Sequence, residues 1–145
     1  MILVDTTILA YATGSDHPLR QPCRGLLGAV GDGRVRASTT VEVIQEFAHV
    51  RARRRSRREA ASVASDYANG LAPLLRPTLD DVLEGLRLFT DLPGLGAFDA
   101  VLAAAARGKQ MSLASADRAF SAVEDLRYLD PASESFLIEA HAVGE

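Results

Sequence analysis

The sequence predicts an α/β fold, a three-layer α/β/α sandwich with a parallel sheet at its centre, and three observations predict it. Short apolar runs such as Ile2-Leu3-Val4 alternate along the chain with stretches of helical periodicity. The stretches between successive strands are long enough to hold a helix, as parallel βαβ units require. Carboxylates recur where an apolar run gives way to a helix, and sheets of this kind open their ligand crevice at the carboxyl ends of the strands.

Ile2 to Val4 read as a buried strand that runs straight into Asp5. From Thr6 to Ala12, Ile8, Leu9 and Tyr11 fall at helical spacing, and Gly14 stops the helix. A second helix starts near Pro18, turns Leu19, Cys23, Leu26, Leu27 and Val30 inward, and closes at Gly31 and Gly33. "VRAS" is a short second strand, after which Thr39 or Thr40 caps a third helix that runs into an arginine-rich segment. "TTVE" reads as a capping box between Thr39 and Glu42, and Ser56 with Glu59 reads as another at the start of a fourth helix ending at Gly70. A short extended piece, Leu74 to Arg76, precedes Thr78, which caps "LDDVLEGLRLFTDL". "FDAVLAAAARG" is a small-residue helix ended by Gly108, "QMSLAS" is a strand, and "LRYL" is expected to be another.

A chain of 145 residues is one typical domain, able to bury roughly two thirds of its unfolded surface without disulfides. With no repeat, low-complexity tract or linker, a single domain over residues 1–145 is expected. Cys23 has no partner for an internal disulfide, and His17, His49 and His141 are too scattered to read as ligands. Neither a leader pattern nor an apolar run of membrane-spanning length is present, which predicts a soluble, cytoplasmic protein. The net charge of −3 gives no overall attraction to nucleic acid, but the charge is unevenly spread.

Four carboxylates stand out. Asp5 follows the first strand, Asp117 follows "MSLAS", Asp99 lies near the start of an alanine-rich helix, and Glu46 lies on the helix after the second strand. Each aspartate alone reads as a helix cap or a first-turn acid that favours the helix dipole. Together they pose an electrostatic problem, because carboxylates about 4 Å apart repel by roughly 4 kcal/mol per pair at an effective dielectric near 20. A cluster of oxygen donors calls for a hard cation, and Mg²⁺ or Mn²⁺ suits it, bound through a few carboxylates, waters and a substrate phosphate.

"VDTTIL", "TTVEVIQEF", "FDAVLAAAA" and "SADRAF", in that order, resemble the motifs of PIN-domain ribonucleases, closest to the VapC-type toxins of prokaryotic toxin–antitoxin pairs. The resemblance reaches to about Leu129. It implies the same α/β/α sandwich and an acidic quartet of Asp5, Glu46, Asp99 and Asp117. It further implies Mg²⁺-dependent RNA cleavage to a 5′-phosphate and a 3′-hydroxyl, a cognate antitoxin partner, and a homodimer. Thr7 stands where the family often has asparagine, and its hydroxyl can still hold a water or phosphate. Thr6 and Ser115 match small hydroxyl positions that would orient the neighbouring carboxylates.

The ion's chemistry then suffices. A bound metal acidifies water and polarises a phosphate, so no nucleophilic side chain is required, and no Ser-His-Asp or Cys-His set is visible. Arg51, Arg53, Arg54, Arg55, Arg57 and Arg58 crowd one short stretch of an acidic chain. They read as a solvated helix junction, as phosphate contacts for RNA, or as a dock for an acidic antitoxin segment. An aspartyl-nucleophile phosphohydrolase is excluded because Thr7 replaces the second aspartate it needs. The remaining alternative is a non-catalytic PIN-like module that binds RNA or a protein without requiring the ion.

Overall fold

The computed structural model describes residues 1–145. Four parallel strands form one sheet: β1 (Ile2–Val4), β2 (Ala37–Ser38), β3 (Ser112–Ala114) and β4 (Tyr128–Leu129), in the order β2-β1-β3-β4. Register pairs Leu3 with Ser38 on one side and with Leu113 on the other. Every residue of β1 and β3 is buried, as strands covered on both faces must be. The helices are α1 (Thr6–Thr13), α2 (Arg20–Gly31), α3 (Val41–Ala52), α4 (Arg57–Gly70), α5 (Leu79–Asp91), α6 (Ala97–Gly108) and α7 (Phe136–Gly144), with a 3₁₀ turn at Arg118–Ala122. This is the expected α/β sandwich.

Twenty-seven buried hydrophobic residues make one core cluster, including Ile2, Leu3, Val4, Ile8, Leu26, Leu113, Phe120 and Phe136. Burying each large aliphatic or aromatic side chain contributes about 1.5–3 kcal/mol. No helix is long and apolar enough to cross a membrane.

Several local expectations change. Thr40, not Thr39, caps α3, its side chain accepting from the Val43 amide at 3.2 Å. The Thr39 hydroxyl instead donates to the Val4 carbonyl at 2.6 Å, so the predicted box with Glu42 does not form. At α4 the box is half made. Ser56 accepts from the Glu59 amide at 3.1 Å, but the Glu59 carboxylate turns to Arg51. "LRYL" contributes only Tyr128 and Leu129 to the sheet. The piece near Leu75 pairs with Thr40 as an isolated parallel bridge that lengthens the sheet's edge. The helix α7 was not expected from the sequence; Ser135 precedes it without a side-chain cap bond.

Candidate active site

The strand order decides where a crevice opens. The chain leaves β1 for β2 on one side and returns to β3 on the other, so the carboxyl ends of β1 and β3 flank the topological switch point. Asp5 follows β1, and Ser115 and Asp117 follow β3.

Asp5 is 3% exposed, and the question is what compensates its carboxylate. Its Oδ2 accepts from the Ser115 hydroxyl at 2.6 Å, from the Thr7 hydroxyl at 2.8 Å and from the Thr7 amide at 3.4 Å. It is therefore both the N-cap of α1 and the carboxylate held across the switch point. Thr7 Oγ1 also accepts from the Ala116 amide at 2.9 Å, which ties α1 to the loop after β3. Ser115 Oγ accepts from the Asp117 amide at 3.0 Å, and the Tyr128 hydroxyl donates to the Ser115 carbonyl at 2.9 Å. Thr6 donates its hydroxyl to Glu46 Oε2, bringing α3 to the start of α1. Asp117 caps the 3₁₀ turn through the Ala119 amide at 2.9 Å.

Asp99 differs from the other three. It sits in the first turn of α6, and no hydrogen bond from the protein reaches its carboxylate. Burial pushes its carboxyl up to about 7, and the charges of Asp5, Asp117 and Glu46 push in the same direction. The charges of the other three predicted carboxylates thus reach Asp99. No three His, Cys, Asp or Glu side chains are gathered tightly enough to enclose an ion as they stand.

Thr6, Thr7 and Ser115, predicted to orient the carboxylates, make the bonds that do so. Two further braces at the carboxyl ends of β1 and β3 were hidden in the sequence. Thr39 reads there only as a helix cap, and Tyr128 belongs to no motif. Arg51 departs from the predicted basic surface. It forks onto Glu59 at 2.6–3.1 Å and its side chain is 13% exposed, a bidentate pair that fastens α3 to α4. Arg53, Arg54, Arg55, Arg57 and Arg58 are exposed around the turn between those helices, and none is in an ion pair.

A four-stranded parallel sheet with Asp5 and Asp117 beyond the two strands that flank its switch point, and Asp99 within reach of their charge, defines a class, and the chain belongs to it: the family model described as PIN domain matches residues 2–126. Among its relatives, Ribonuclease VapC7 of Mycobacterium tuberculosis is 48% identical over 133 residues, 90% of this chain and 92% of that protein. Ribonuclease VapC23 of the same organism is 36% identical over 101 residues, covering 68% and 78%. The fold is shared with the crystal structure of VapBC2 from Rickettsia felis bound to a promoter DNA fragment, with TM-score 0.71, 15% identity, and 90% and 98% coverage. VapC20 of M. tuberculosis, a sarcin-ricin loop cleaving toxin, superposes with TM-score 0.71 at 19% identity over 88% and 98% of the two chains.

Proposed function

We infer that this chain is a PIN-domain ribonuclease, the toxin of a type II toxin–antitoxin pair, and that Asp5, Glu46, Asp99 and Asp117 hold the Mg²⁺ with which it hydrolyses RNA. The 48% identity to a ribonuclease over nine tenths of the chain supports the activity. One observation carries the metal reading. Asp99 has no donor of its own, while burial and three neighbouring carboxylates oppose its charge. A divalent cation supplies the missing countercharge, and an all-oxygen donor set suits Mg²⁺, with Mn²⁺ an acceptable substitute.

When bound, the ion neutralises charge at the scissile phosphate and acidifies water. The chain's own residues prepare for it. Ser115 and Thr7 fix the rotamer of Asp5, Thr6 aims Glu46, and the Asp117 cap leaves its second oxygen for the crevice. Arg53, Arg54, Arg55, Arg57 and Arg58 supply phosphate contacts for the RNA strand and compete for it with an acidic segment of the cognate antitoxin. The exposed stripe of Leu79, Leu83 and Leu86 on α5 is an apolar patch of the kind a second copy covers, which supports a homodimer. A single domain over residues 1–145 fits the one core cluster, and the cytoplasm is the compartment such a toxin would act in.

The test is RNA cleavage by the purified protein. It proceeds with Mg²⁺ or Mn²⁺ and stops with EDTA. Undiminished cleavage in EDTA overturns the metal reading, and RNA binding without cleavage under any ion returns the non-catalytic module.

A further inference from the structure

Beside the carboxylates lies a second feature that metal chemistry does not use. A cleft of about 370 Å³ runs between α1, the loop after it and the end of α3, lined among others by Thr6, Thr7, Tyr11, His17, Phe47 and Arg54. Its volume is within the range of small-ligand sites, about 300–1,000 Å³. Thr6 and Thr7 line the cleft and also donate to Glu46 and Asp5, so the cleft and the candidate active site share these two residues as a wall.

The walls have a particular chemistry. Tyr11 and His17 lie ring against ring, with centroids 4.6 Å apart and planes tilted by 33°. The Leu19 amide donates to His17 Nδ1 at 3.1 Å, which orients the imidazole and leaves Nε2 without a protein partner. Phe47 is braced edge-on by Tyr67 at 5.2 Å, and the Tyr67 hydroxyl is within 2.6 Å of Thr13 Oγ1. Two cations line the cleft, Arg51 and Arg54. Glu59 occupies Arg51, whereas Arg54 is exposed and has no carboxylate partner. Asp16 also lines the cleft. It disfavours a phosphate on its side and suits the amino edge of a base.

We propose that this cleft is a nucleobase subsite, in which one unpaired base of the RNA strand, neighbouring the scissile phosphate, stacks on the Tyr11–His17 pair while Arg54 holds a flanking phosphate. The inference rests on the ribonuclease reading and deepens it by naming the side chains that would hold one unstacked base. Aromatic platforms beside guanidinium groups are how proteins hold unstacked bases. A protein segment is the competing occupant. The uncommitted Arg54 guanidinium and the Asp16 carboxylate beside the aromatic pair fit a flanking phosphate and a base with polar edges better than the apolar face of a docking helix.

The experiment uses short single-stranded RNAs, each with the fluorescent base 2-aminopurine at one position. Binding is followed by quenching in EDTA, and cleavage is then measured with Mg²⁺. Wild-type protein should quench the probe strongly at one position. His17→Ala, at an exposed side chain, and Tyr11→Leu should lose that quenching and raise KM about tenfold, the worth of one base stack, with kcat little changed. Arg54→Ala should weaken binding at every probe position and keep the quenching at saturation. Wild-type affinity and quenching in both aromatic variants would overturn the proposal and leave the cleft to a protein segment. If instead wild-type protein quenches the probe at one position but cuts nothing with Mg²⁺, the ribonuclease reading fails and the base subsite stands.

Discussion

Glu42 and Glu46 are one helical turn apart on α3, yet their surroundings assign them opposite fates. Glu46 accepts from the Thr6 hydroxyl beside Asp5, whereas Glu42 Oε2 is buried with no hydrogen-bond partner. Because Thr40 and not Thr39 caps the helix, Glu42 does no capping. We expect Glu46→Gln to abolish RNA cleavage while melting near wild type, since the Thr6 hydroxyl can donate to an amide oxygen as well. Glu42→Gln should keep activity and melt within about 0.5 kcal/mol of wild type, since the side chain makes no hydrogen bond to lose. Paired melts and cleavage rates at fixed Mg²⁺ read both, and an inactive Glu42→Gln beside an active Glu46→Gln would reverse the assignment. Asp99 makes a pH prediction. Its folded pKa of about 7 lies above the ordinary aspartate value of 3.8, so the metal-free protein binds a proton there more tightly folded than unfolded. The associated stability is complete below the ordinary aspartate range and is lost as pH rises toward about 7. At ~1.4 kcal/mol per pH unit the loss is bounded at a few kcal/mol, and solvent screening at this half-buried side chain reduces it further. Thermal melts in EDTA should show Asp99→Asn free of this decline and above wild type at neutral pH. Parallel wild-type and variant profiles would show that neither burial nor the neighbouring charges hold the Asp99 proton.

The packing of α5 on α6 shows how a single glycine sets the distance between two helices. A Cβ added at Gly85 would lie 2.6 Å from Val101 Cα and 2.8 Å from its amide nitrogen, both backbone atoms. Exchanging glycine for alanine in a helix gains about 1 kcal/mol, while forcing packed backbones apart costs about 1–3 kcal/mol. The second effect should win, so Gly85→Ala lowers the melting temperature; a rise would mean the pair separates freely. The Asp81 carboxylate also joins these helices. Burial works against its charge, but the Thr78 amide at 2.8 Å and Lys109 at 3.0 Å more than offset this and hold its carboxyl below the usual range. At the level of elements the sequence was readable where local chemistry decides. Asp5, Ser56 and Thr78 cap the helices that follow them, the role their residue types favour. It was unreadable where one residue of strand register decides which hydroxyl caps α3, because Thr39 and Thr40 are locally equivalent until Val4 claims one of them. Helix α7 lacks both a cap bond and a clear polar face, being built from "FLIEAHAVG", so neither of the usual signals marks it.

Across the whole molecule, the acidic quartet was legible because three of its carboxylates follow a strand or open a helix, and parallel topology brings such ends to one edge. The state of Arg51 was not, since its partner Glu59 meets it only when α3 and α4 fold back on each other. What remains of the run is five unpaired guanidinium groups on a chain of net charge −3, a local reversal of sign. Changing Arg53, Arg54 and Arg55 to Ala should weaken RNA binding and flatten its salt dependence by roughly one counterion for each phosphate no longer neutralised. Mg²⁺ binding should be untouched. An unchanged salt slope would assign the run to solvent or to the antitoxin. In the proposed mechanism the divalent cation, held by the quartet, links the acidic crevice to RNA hydrolysis. Calorimetric Mg²⁺ titration of wild type and Asp99→Asn, with RNA cleavage measured on the same samples, probes that link itself. Wild type should bind Mg²⁺ and cut, while the folded variant should lose both together. A variant that loses Mg²⁺ binding but still cuts RNA would break the link.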